Sequence, residues 1–167
     1  MKKWLSILLT IMLLMCACPA LAATYSNSLF TVRYDGGRFG MDQFSYLESG
    51  NGEWFFILYD GVYSIDCGME RGNRGAGDLM ADAQTLSAYA EAVCRATGGT
   101  LVESGVYGAQ PFVIVAAHRP ELGKVYYAET IVGGNAVYFE IYNLAAGTVD
   151  AAALSALKGI LNGFSAK

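Results

Sequence analysis

The sequence predicts an α+β domain, a mostly antiparallel sheet with two main helices packed on it. Three observations carry this. The candidate elements run strands, helix, strands, helix along the chain, an order that suits helices laid on a sheet built largely before and after them. The links between the later strands are only a few residues long, and short links join antiparallel neighbours, because a parallel crossover needs a dozen or more residues. Two segments, one ending at Gly98-Gly99 and one centred on Leu157, repeat apolar residues at helical spacing. A doubly wound nucleotide-binding sheet is disfavoured, since helices do not alternate with single strands.

The N-terminus reads as a cleavable secretory signal peptide over residues 1–22. Lys2 and Lys3 precede an almost wholly apolar run from Trp4 to Cys16, and Ala20-Leu21-Ala22 supplies the small residues that a signal peptidase reads, so cleavage is expected after Ala22. The run is shorter than the roughly 20 residues a membrane-spanning helix needs, and no second such stretch follows. No transmembrane anchor is expected after cleavage. A rival reading anchors the chain by lipid at Cys16 or Cys18, but Met15 is bulky for processing before Cys16 and Pro19 is an awkward successor to Cys18. What remains, residues 23–167, is 145 residues long and suits one domain with a hydrophobic core. Losing Lys2 and Lys3 leaves nine basic residues against 15 acidic ones, a net charge of −6. That excess argues against a nucleic acid partner.

Leu29 to Tyr34 alternates Phe30, Val32 and Tyr34 against Thr31 and Arg33 and leads into an Asp35-Gly36-Gly37 turn, so it is expected to open the first hairpin. Residues 38–51 show no sustained period and read as loop with short extended pieces. Trp54 to Tyr59 and Val62 to Glu70 are strands joined by Asp60-Gly61, the strongest hairpin signal in the chain. Arg71 to Asp78 is loop by composition, and a helix follows from about Leu79 to Ala96, carrying Ala83, Leu86, Ala90, Val93 and Cys94, with Asp78 or Asp82 as its cap. Four strands come next: Thr100 to Tyr107, Pro111 to His118, Lys124 to Val132 and Ala136 to Asn143. Ala153, Leu154, Leu157, Ile160, Leu161 and Phe164 then mark a closing amphipathic helix capped by Thr148 or Asp150.

Several of these patterns together resemble the PsbP-like superfamily. They are the Phe30/Val32 run, the Val62 to Met69 strand, the helix ending in Gly98-Gly99, the Gly108-Ala109-Gln110-Pro111 turn, the paired strands with Tyr126-Tyr127 and Val137-Tyr138-Phe139, and the last helix with Leu161 and Phe164. The resemblance covers nearly all of residues 25–166 and rests on topology and apolar pattern. It implies an α/β/α sandwich. It also implies an accessory or binding role, since members include an extrinsic photosystem II subunit, a Ran-binding nuclear transport factor and many small secreted or lipid-anchored bacterial proteins. No shared catalytic set comes with it, and fold alone does not license a function.

The search for chemistry is mostly negative, and no catalytic residue, metal site or cofactor is assigned. His118 is the sole histidine, so a multi-histidine zinc site is impossible. No serine stands in a nucleophile-elbow pattern. The alternative enzyme reading is a small hydrolase using Asp60, Asp66 and Glu70 with His118 in support; it requires two acids facing each other across a cleft, against a plain reading of solvated strand and turn carboxylates. Cys67 shares a strand face with Tyr63, Ile65 and Met69, and Cys94 lies on the helix stripe; if that helix covers that face the two form a disulfide, otherwise they are separately buried thiols. Arg71 and Arg74, in a glycine-rich loop running from strand to helix, are candidate ligand contacts, although no Lys-Ser/Thr phosphate-loop ending follows. Tyr127 and Glu129 on one strand, and Tyr138, Glu140 and Tyr142 on the next, form a candidate recognition face, with Val137, Phe139 and Ile141 turned to the core. Coverage of both sheet faces by helices is the competing structural reading. The expectation is a noncatalytic exported domain that binds a protein or a cell-envelope component.

Overall fold

A computed structural model describes residues 21–44, 52–72, 83–145 and 147–167. Among these described residues, ten strands and two helices run in the order β1 (Ala22–Ser26), β2 (Phe30–Asp35), β3 (Gly40–Gln43), β4 (Gly52–Tyr59), β5 (Tyr63–Glu70), α1 (Ala83–Thr97), β6 (Thr100–Tyr107), β7 (Gln110–Arg119), β8 (Gly123–Val132), β9 (Asn135–Asn143), α2 (Ala151–Asn162) and β10 (Phe164–Ala166). The strands form a seven-stranded sheet, β3-β4-β5-β9-β8-β7-β6, and a three-stranded one, β1-β2-β10. Every pairing is antiparallel.

The hairpin turns follow local chemistry. At Asp60-Gly61 the glycine takes φ 84°, and Asp60 Oδ1 accepts the backbone N–H groups of Val62 and Tyr63 at 3.0 and 2.8 Å. Asp150 caps α2 by accepting from the Ala153 N–H at 2.9 Å, and Gly163 ends the helix. Phe164 consequently does not belong to α2, as its spacing suggests, but starts β10 and packs against Phe30, Phe112 and Phe139.

One face of the large sheet meets α2 and the small sheet. Phe56, Leu58, Ile65, Cys67, Phe112, Ile114, Phe139 and Ile141 point into that layer, together with Phe30, Val32, Leu157 and Leu161. This is the main core, and burying such side chains contributes about 1.5–3 kcal/mol each before ordering costs. The opposite face meets α1, which lies over β6 and β7. There Leu86, Ala90 and Val93 pack on Val113, Val115, Tyr127 and Ile131. Helices on both sides of a mainly antiparallel sheet give the expected α+β sandwich.

Two further expectations are corrected, the hairpin and the disulfide. β2 pairs with β1 before it and β10 at the far end of the chain rather than with the segment that follows, so it does not open a hairpin with residue 38 onward. β1 runs antiparallel to β2, Ala22 opposite Asp35 and Ala23 to Ser26 opposite Tyr34 to Thr31. Cys67 and Cys94 form no disulfide: Cys67 faces the α2 layer, while Cys94 packs on the α1 side, so the sheet separates the two sulfurs. The start of the helix expected at Leu79 and the caps Asp78 and Asp82 lie outside the described residues. So does most of the leader.

Candidate functional site

Alternation along the strands places Tyr127, Glu129, Tyr138, Glu140 and Tyr142 on the α1 face of the large sheet, as the sequence spacing predicts. Cross-strand register then sets their neighbours. One row runs Trp54, Gly68, Tyr138, Glu129 and Val113 across β4, β5, β9, β8 and β7; the next runs Asp66, Glu140, Tyr127 and Val115. Residues directly opposite in such rows have Cβ atoms about 5 Å apart.

Gly68 shapes the first row. A Cβ there would sit 2.5 Å from Tyr138 Cζ, with the hydroxyl oxygen nearer still. The missing side chain lets the Tyr138 ring lie over β5 toward Trp54, whose ring meets it edge-on at 6.1 Å and 87°. On its other flank Tyr138 stacks on Tyr127 at 5.5 Å and 21°. The bulge between Trp54 and Phe56 explains how Trp54 reaches this face at all: the extra residue, Phe55, is absorbed into the core beside Phe30, so Trp54 and Phe56 pair on opposite faces.

Glu129 is the polar centre of the face. Tyr89 on α1 donates its hydroxyl to one carboxylate oxygen and Tyr127 donates to the other. Burial pushes the Glu129 carboxyl up; the two hydroxyls pull it back and the charge of Glu70 adds to the rise. Burial, followed by the Glu129 charge, also raises Tyr89 and Tyr127, which therefore remain protonated donors. Arg119, at the end of β7, bonds Glu140 at 2.6 Å and places its guanidinium 5.7 Å from the Tyr127 ring centre. Together Trp54, Glu70, Arg119, Tyr127, Glu129, Tyr138 and Glu140, with Ala96 and Thr97 of α1, line a cleft of about 300 Å³.

Asp66 faces the same side and is buried, at 7% exposure. Burial, with the Glu140 charge adding to it, lifts its carboxyl from 3.8 to about 6, against hydrogen bonds from Ser64, at 3.0 Å, and Tyr142. The hydrolase constellation is not assembled around it. Asp60 lies at the hairpin tip, where Arg38 bonds it at 2.8 Å. Glu70 stands four residues from Asp66 along β5, about 13 Å at strand rise, beyond the reach of a paired-carboxylate site. His118 is exposed and points to the other side of β7. Among the described residues, no group of three or more His, Cys, Asp and Glu side chains is placed to hold a metal ion.

Arg71 is separate from the tyrosine face. It bonds Glu53 at 2.7 Å and lines a different pocket, of about 480 Å³, with Tyr25, Leu29, Phe55 and Met69. Arg74 lies outside the described residues. Sequence reasoning missed Trp54, Gly68, Tyr89 and Arg119 as members of the face. A glycine inside the Tyr63–Glu70 strand was the available signal, because such a glycine marks close approach of another group.

No family model matches the chain, and no curated protein matches it. Among solved structures, the solution structure of cyanobacterial PsbP (CyanoP) from Synechocystis sp. PCC 6803 superposes with a TM-score of 0.50 at 12% identity, covering 89% of this chain and 94% of that one. No helix among the described residues is long and apolar enough to cross a membrane. The two-sided sheet, the packing of α1 and α2 and this superposition together assign the chain a PsbP-like fold.

Proposed function

We propose that this chain is a noncatalytic, exported accessory domain that binds a protein or another cell-envelope component through the Trp54, Tyr138 and Tyr142 side of its large sheet. The observation that carries this reading is the partial cover of that face. α1 lies over β6 and β7, whereas Trp54 on β4 and Tyr138, Glu140 and Tyr142 on β9 remain partly exposed. Tyrosine and tryptophan there offer contact area with polar tips, which is the composition of recognition surfaces. The leader with Lys2, Lys3 and the Trp4 to Cys16 run supports export.

The test is a pull-down from the native cell envelope with wild type and the Tyr138→Ala/Tyr142→Ala variant as baits, each first shown to be folded by circular dichroism. A saturable partner captured by wild type and lost with the variant is the expected result. Equal capture by both sinks the choice of face, and no partner across a range of salt and detergent conditions sinks the binding reading.

A further inference from the structure

The geometry points to the Trp54–Tyr138 cleft as the seat of one basic side chain, a lysine or arginine of the partner protein; this rests on the proposed binding face and names the chemistry it recognises. Three features converge. The first is charge: among the described residues, Glu70, Glu129 and Glu140 line the cleft with one cation, Arg119, which is already bonded to Glu140. Glu70, exposed at the end of β5, makes no ion pair with any described residue. The described lining therefore carries unbalanced negative charge in a concave, partly desolvated setting, where attraction for a cation exceeds that on an open surface.

The second is the ring geometry. Trp54, Tyr138 and Tyr127 form one aromatic wall, and cations bind ring faces. The fold itself shows what this wall accepts: the Arg119 guanidinium lies over Tyr127 while bonding the adjacent Glu140. Trp54 and Glu70 line the same cleft on the other side of Tyr138, so a ring and a carboxylate are both available there. The third is the end of α1. Ala96 and Thr97, in its last turn, border the cleft, so the negative end of the helix dipole faces the same space. The carboxylates are not placed to ligate one metal ion together, and their spread around rings suits an extended organic cation.

The experiment is a titration of the isotope-labelled protein with N-acetyl-arginine amide, followed in a ¹H–¹⁵N spectrum through the Trp54 indole and Gly68 amide signals. The neutral isostere N-acetyl-citrulline amide serves as control. Saturable shifts confined to Trp54, Gly68 and their neighbours, absent with citrulline, are expected. Glu70→Gln should weaken binding by up to about fivefold, the effect of removing one exposed ion pair. Because Glu70 is exposed, this variant does not depend on the buried Glu129 network for folding. Absent shifts, shifts spread over the surface, or equal shifts with citrulline overturn the inference. If the envelope pull-down still captures a partner through this face while the arginine probe fails, only the basic-side-chain assignment is lost; if the probe binds and no partner is captured, the fault lies with the partner-protein reading.

Discussion

Replacing Gly68 with alanine sets a methyl group 2.5 Å from Cζ of Tyr138 and 3.1 Å from the Glu53 carbonyl oxygen. The carbonyl contact is tight but needs little movement, whereas the ring has to swing away. In doing so it gives up its stack on Tyr127 and its edge contact with Trp54, each worth about 0.5–1.5 kcal/mol beyond area burial. Alanine returns about 0.4–1 kcal/mol by narrowing the unfolded ensemble. The net expectation is a loss of about 1–2 kcal/mol, or roughly 3–6 °C in Tm for a domain of this size. Gly68 does not sit at positive φ, so backbone strain contributes nothing. The assay is a double-mutant cycle by denaturant unfolding: Gly68→Ala costs stability in the wild-type background and little or nothing in Tyr138→Ala. An equal cost in both backgrounds, or none in either, refutes the claim that Gly68 exists to seat the Tyr138 ring.

Other consequences are as direct. Asp66 has a folded value of about 6 against 3.8 unfolded, so the native state holds more protons between these values and stability falls as pH rises through that window; ionised, the residue costs roughly 2–3 kcal/mol. Asp66→Asn should therefore be more stable than wild type near pH 7, with the difference shrinking toward pH 4, and parallel unfolding curves contradict this. Phe164→Ala removes a 2%-exposed ring that touches Phe30, Phe112 and Phe139 and should cost about 3–5 kcal/mol in chemical denaturation. Alkylation followed by peptide mass mapping should label Cys94 in the native protein and Cys67 only after unfolding, because Cys67 is fully buried and burial raises its thiol well above the usual range. A Cys67–Cys94 disulfide peptide contradicts the placement of these residues on opposite faces.

Local chemistry was readable from the sequence wherever a single turn or period decided the outcome. Asp60-Gly61 makes the β4–β5 hairpin, Gly133-Gly134 at positive φ joins β8 to β9, and Asp150 caps α2. Alternation in β9 sorted Tyr138, Glu140 and Tyr142 from Val137, Phe139 and Ile141 correctly. What was not readable depends on which layers meet. Nothing local states that α1 covers the Val113 and Val115 face rather than the Cys67 face, and the disulfide expectation turned on that choice. β1 was hidden because Ala22–Ser26 buries only Tyr25 and so shows no apolar alternation, and β10 because Phe164 continues the helical spacing of Leu157 and Leu161 past Gly163. β3 is a four-residue edge strand with no buried residue, so it left no pattern to find. The cleft was half-seen: its tyrosines and acids follow from alternation, but Trp54 joins them only through the bulge at Phe55.

The central claim is that the exposed side of this face meets a partner. Site-specific photo-crosslinking in the native envelope tests it most directly, with the photoreactive group at Tyr142 and, as control, at Arg33, which is exposed on the small sheet behind the molecule. A discrete adduct from position 142 and none from position 33 is the expected result. No adduct from position 142, or the same adducts from both positions, contradicts the account.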